Sequence, residues 1–144
     1  MLKRDRILAK LDELDGYLQE LRQVAPADFE SFAGSIEKKR ACERLLQISV
    51  EAALDVCGLL VSGLHLGLPA DENDILDRLD QANLLTPSMT TTLRRMRGFR
   101  NILVHEYGRI DDRVVFAMIA NGPEDFRLFT EAVLRVLREK REAE

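Results

Sequence analysis

Tryptophan is absent from this chain, and proline, cysteine and histidine are scarce: four, two and two residues among 144, with eight glycines. Each scarcity excludes something. Two cysteines give neither a disulfide framework nor a Cys/His zinc spacing. If both lie on one helix, about 1.5 Å of rise per residue separates Cys42 and Cys57 by roughly 22 Å, against the ~7 Å limit for a disulfide. They are expected to be reduced core residues of a cytoplasmic protein. Glycine is too dispersed to form a phosphate-binding loop. The opening MLKRDRILAKLDEL has no long apolar region and no signal-peptide cleavage pattern. The longest apolar run, VCGLLVSGLHLGL at 56–68, contains three glycines; it is too short to span a bilayer, so no membrane association is expected.

What remains is a mixture of 46% hydrophobic and 32% charged residues, the composition of a folded globular chain. The length suits a single domain, 1–144, able to bury a real core. Apolar residues recur at helical spacing from Leu2 to about Val24, through Ile7, Leu8, Leu11, Leu14, Leu18 and Leu21. Pro26 ends that helix. Phe29 and Phe32 fit a short helical turn, and Ser35 is placed to cap a second helix predicted over Ile36–His65, with Gly67 and Pro69 as stop signals. Residues 71–83 predict a short third helix with acids in its first turn. Thr86 then Pro87 open a fourth, as N-cap and first helical residue, ending at Gly108. Asp111 or Asp112 caps a fifth, which NGPED at 121–125 interrupts or kinks before a final helix. The expected fold is all-α: an up-and-down bundle of four main helices with a short extra one.

The net charge of −4 gives no general attraction for nucleic acid, so any such contact needs a local patch. Arg94, Arg95, Arg97, Arg100 and Arg109 provide one within sixteen residues, opposed there only by Glu106. Asn101 and His105 are an i, i+4 pair on one helix face. Arg100 lies about 140° around the helix from His105, with a side chain long enough to curl into the same groove. A helix C-terminus attracts cations, and histidine is the side chain that changes charge near neutrality. That pairing suits phosphodiester chemistry. An imidazole exchanges a proton with a ribose 2′-hydroxyl or a leaving oxygen, and a guanidinium holds the charge of the pentavalent phosphorane. RNA carries its own nucleophile, so this chemistry requires no metal and no cofactor. It leaves a 2′,3′-cyclic phosphate and a 5′-hydroxyl.

Arg100, His105 and Tyr107 spell Arg-x4-His-x-Tyr. Together with ERLLQISVEAALDVCGLLVSGLHLGLP at 43–69, MRGFRNILVHEYGRID at 96–111 and the order of helices, they resemble the HepT-like proteins of the HEPN superfamily. The likeness covers roughly residues 36–120. It implies a HEPN-like helical fold and a homodimeric, metal-independent ribonuclease acting as the toxin of a type VII toxin–antitoxin pair. Its partner would be an MntA-type minimal nucleotidyltransferase antitoxin that transfers AMP to the motif tyrosine. By position, Arg100 and His105 would be catalytic, Asn101 a supporting residue and Tyr107 the AMPylation site. A two-fold dimer would face two motif helices across the axis and double both groups.

Elsewhere, Glu43, Gln47, Glu51 and Asp55 form a polar stripe on the second helix. Like charges at i, i+4 repel, so Glu51 and Asp55 are expected to meet the fourth helix's arginines, Arg100 among them, and orient them. A carboxylate metal site is the weaker reading, since the stripe lacks Glu-x-x-His. Lys38–Lys39–Arg40 is either a solvated face or an extension of a cationic cleft. His65 reads as a core or capping residue. Two other functions stay open: a non-catalytic helical dimer that binds a nucleotidyltransferase and a nucleotide or substrate, and a purely structural bundle.

Overall fold

A computed structural model describes residues 2–143, with Tyr107 and Glu142 described in their backbone alone. The regular elements of the described residues are all helical, in the order α1 (Arg4–Val24), α2 (Phe29–Ala33), α3 (Ile36–Gly63), α4 (Glu72–Gln81), α5 (Pro87–His105), a 3-10 turn (Tyr107–Arg109) and α6 (Asp112–Ala143). Four long helices make the bundle, and α2 and α4 are the short additions. α3 is the spine, packing against α1, α4, α5 and α6. Its length and an 18-residue window of mean hydropathy 1.6 would suffice to cross a membrane, yet 61% of that window is buried inside the protein. Its apolar surface is consumed by neighbouring helices.

Capping side chains set several boundaries. Ser35 accepts from the Lys38 amide at 3.2 Å, Asp71 from Asp74 at 2.8 Å and Thr86 from Met89 at 3.1 Å, each satisfying an amide the helix cannot. Asp111 is the one that caps α6, accepting from the Arg113 amide at 2.9 Å. α3 stops at Gly63, two residues before the expected end, because the turn begins earlier. Leu66 N–H donates to Val61 O at 3.0 Å and His65 takes a positive φ of 55°, the left-handed helix ending of a Schellman-type cap. His65 is exposed, which removes the core reading and leaves the capping one.

The expected break at NGPED does not occur: α6 runs unbroken through Pro123. An interior proline costs about 3 kcal/mol. Here the apolar face continues on both sides of it, with Val115 before and Phe126, Phe129, Val133, Val136 and Leu137 after, all buried. At about 1.5–3 kcal/mol for each large side chain buried, tertiary packing outweighs the proline. Cys42 and Cys57 are free and buried. Burial pushes both thiols up, Cys57 to about 12, and outweighs the opposing pull of Lys38 on Cys42.

Candidate active site

α5 buries Thr90, Leu93, Met96, Phe99 and Leu103 against the bundle, while Ile102 and Val104 are only half-buried. Its other face carries Arg97, Arg100, Asn101 and Val104, at i, i+3, i+4 and i+7, followed by His105. With about 100° of rotation per residue, Arg100 and His105 bound this face and the other three lie between them. All five line one open cavity of about 530 Å³, whose remaining walls are Glu51 of α3, Glu72 of α4 and Glu106 beyond the end of α5. The helical angle between Arg100 and His105 is thus the width of the cavity.

Arg100 is the fixed element. Its side chain is 11% exposed and all three guanidine nitrogens are engaged: Nε donates to Asn101 Oδ1 at 3.0 Å, Nη1 to Glu51 Oε2 at 3.4 Å and Nη2 to Glu72 Oε1. A buried guanidinium needs such partners, since an uncompensated charge at that depth costs several kcal/mol. His105 contrasts with it. The residue is exposed, and among the described residues its imidazole has neither a hydrogen-bond nor an ion-pair partner. One cation is held by three partners, and one imidazole stands open to solvent.

The rest of the basic patch divides. Arg97 faces the cavity and donates from Nε to Glu72 Oε1 at 3.0 Å. Arg94 turns to α4, where it meets Asp77 at 2.8 Å and Asp80 at 3.0 Å. Arg95 pairs with Asp125 of α6 at 3.2 Å, and Arg109 with Glu106 at 2.7 Å. Apart from Glu106, the acids that oppose these arginines come from other helices, so the patch is far less cationic than its local sequence. Glu51 meets Arg100 as expected. Asp55 does not: one turn further along α3 it faces α1 and pairs with Lys10 at 3.3 Å. Lys39 and Arg40 are committed to Asp112 and Glu43 and line none of this cavity. Tyr107 begins the 3-10 turn directly after α5; its side chain lies outside the described residues. Among the described residues, no three His, Cys, Asp or Glu side chains gather as a metal site.

Glu72 is the residue that sequence reasoning missed. It was legible only as an acid in the first turn of α4, where it complements the helix dipole. A usable signal existed: the acidic segment ENDILDRLDQ, then a short loop, then an arginine-rich helix. Consecutive helices joined by a short loop pack antiparallel, and opposite charges on both predict a paired seam.

Residues 14–133 match the family described as Ribonuclease HepT-like. The chain belongs to this family. Among HepT relatives, the "tRNA nuclease HepT" of Aphanizomenon flos-aquae is 28% identical over 127 residues, covering 88% of this chain and 86% of the relative. The "mRNA nuclease HepT" of Shewanella oneidensis is 27% identical over 129 residues, covering 90% and 96%. A solved structure of the Shewanella oneidensis HEPN toxin, tri-AMPylated and in complex with an MNT antitoxin, superposes with a TM-score of 0.83. It is 26% identical and covers 90% of this chain and 96% of that one. The HEPN fold expected from the sequence is therefore the fold observed.

Proposed function

We propose that this chain is a single-domain toxin of the HepT type, an endoribonuclease that needs no metal and is silenced by AMP transfer from an MntA-type nucleotidyltransferase to Tyr107. The observation that carries the reading is the joint lining of one open cavity by a nearly buried, three-fold hydrogen-bonded Arg100 and an exposed His105 with no partner among the described residues. In the proposed reaction, the ribose 2′-oxygen attacks phosphorus as His105 takes its proton. Arg100 stabilises the charge on the non-bridging oxygens. The 5′-oxygen leaves with a proton, giving a cyclic phosphate and a 5′-hydroxyl. One histidine cannot be base and acid in the same step, and a two-fold dimer would supply the second from the partner chain. Asn101, accepting from Arg100 Nε, and Glu51, accepting from Nη1, orient the guanidinium. The names of the nuclease relatives and the antitoxin-bound neighbour support the substrate class and the partner. Soluble expression in the cytoplasm follows from that role.

The test is cleavage of total RNA in EDTA by protein whose intact mass shows no added AMP. Wild type is expected to cut, and folded Arg100→Ala and His105→Ala proteins to be silent. Unmodified dimer that cuts no RNA class would overturn the nuclease reading. The alternative, a non-catalytic dimer that holds a nucleotidyltransferase and a nucleotide or substrate, is favoured by one observation. Arg100 is already engaged by two carboxylates, so it offers an incoming phosphate no free fork until one of them leaves.

A further inference from the structure

That engagement has a specific geometry. Arg97 Nε, at 3.0 Å, and Arg100 Nη2 both donate to one atom, Oε1 of Glu72. Two guanidiniums one helical turn apart, converging on a single anionic oxygen, make the arrangement by which a pair of arginines holds a non-bridging phosphate oxygen. Glu51 is different: it reaches Arg100 alone and from Nη1, away from that point.

Glu72 is also placed to leave. It is the first residue of α4, its side chain is 36% exposed, and α4 is anchored elsewhere, by fully buried Leu76 and Leu79. The carboxylate stands in the wall between the active-site cavity and a second open cavity of about 430 Å³, lined on its far side by Arg6, Lys10 and Asp55. Glu72 is not among the buried core residues, and the second cavity offers its side chain space on that side.

We propose that Glu72 is a built-in competitor of the substrate: its Oε1 occupies the position of a non-bridging phosphodiester oxygen, and Arg97 joins Arg100 as the phosphate clamp once Glu72 swings away. The identity of the anion as RNA rests on the ribonuclease reading; the clamp itself does not. The device keeps a nearly buried Arg100 compensated when no substrate is bound. Substrate entry then exchanges one anion for another at the same point, and an anion that cannot span both guanidiniums does not displace the carboxylate. Arg97 is in this account a substrate-binding residue and Glu72 a gating one.

The experiment is binding of a 2′-O-methyl RNA oligonucleotide, which lacks the nucleophile and is not cut, followed by fluorescence anisotropy. Glu72→Gln keeps the shape and removes the charge. It is expected to tighten binding roughly fivefold, the scale of a partly exposed ion pair. Arg97→Gln is expected to weaken binding by a similar factor, and in the Arg97→Gln background Glu72→Gln should recover little of its gain. A misfolded variant would bind worse, so tightening cannot arise from damage. Equal or weaker binding by folded Glu72→Gln, a gain independent of Arg97, or no binding by any variant would each overturn the clamp. Cleavage of unmodified RNA is assayed in parallel. Protein that shows the Arg97-dependent gain but cuts nothing keeps the clamp and loses the nuclease reading. Protein that cuts without the gain does the reverse.

Discussion

The seam between α4 and α5 has two ends built from the same materials and put to different use. At one end Arg94 bridges Asp77 and Asp80, and Asp80 also accepts the buried Thr90 hydroxyl at 2.6 Å. At the other end Arg97 and Arg100 meet Glu72 at the mouth of a cavity. The first end closes on itself: two acids enclose one cation and the hydroxyl fixes the register. The second is closed from α4 by a single carboxylate that two arginines share, while Glu51 of α3 reaches Arg100 alone and the exposed His105 lines the same cavity. Residue type therefore does not mark the site. What marks it is cations that converge on a point reachable from solvent.

The sharpest way to break this comparison is to remove the cations one at a time. Arg100→Ala and His105→Ala should each lower the RNA cleavage rate by about 10²- to 10⁴-fold, the range for a lost charge stabiliser or acid–base group. Arg94→Ala and Arg95→Ala should leave initial rates within about twofold, since neither lines the cavity and rim charges act weakly. Equal losses in all four would mean that the patch acts through overall charge, and the distinction between the two ends would collapse.

The second effect is on the segment that delivers Glu72. Gly67 has φ of 101°, and a Cβ there would lie 2.3 Å from Arg78 Nη1, whose guanidinium donates to the carbonyls of Leu66 and Leu68. Gly67→Ala combines a disfavoured backbone with displacement of those bonds and should cost about 1–3 kcal/mol, read from the urea midpoint. Arg94→Ala should cost less, about 1 kcal/mol, because the pair it breaks is one-third exposed. A larger loss for Arg94→Ala would mean that the buried Thr90–Asp80 bond depends on it.

How much of this was written locally in the chain follows the same division. The Ser35 cap and the Thr86–Pro87 start were legible because a cap is satisfied within three residues of itself. The place of Arg100, Asn101 and His105 on one face was nearly so, because helical rotation fixes it. The continuity of α6 through Pro123 was not legible: the local signal is a break, and burial of Phe126 and Phe129 against distant helices decides otherwise. Nor was the neutralisation of the arginine patch, since Glu72, Asp77, Asp80 and Asp125 lie 14 to 30 residues from their partners. Asp55 went astray for the same reason. One helical turn separates it from Glu51, and only the packing says that the turn faces α1.

The smallest effect tests whether the cavity end of the seam is tied down by its own loop. Asp74 Oδ2 accepts from the Ala70 amide at 2.8 Å and from Arg78 Nε at 3.2 Å. The Ala70 hydrogen bond, and after it the Arg78 guanidinium, hold the carboxyl below its ordinary value of 3.8. A group whose folded value is depressed binds its proton more readily in the unfolded chain. Its contribution is therefore complete above the unfolded value and disappears as the pH falls through the folded one. Asp74→Asn should be less stable than wild type near pH 7, with the gap in urea midpoint closing as the pH falls below the ordinary carboxyl value of 3.8. Protection of the Ala70 amide from exchange, taken relative to its intrinsic rate at each pH, should fall over the same acid range in wild type and be low throughout in the variant. If the gap persists in acid, the lost contact is steric and not ionic. The seam's two ends would then differ in their charges alone, and not in how firmly the loop before α4 presents Glu72.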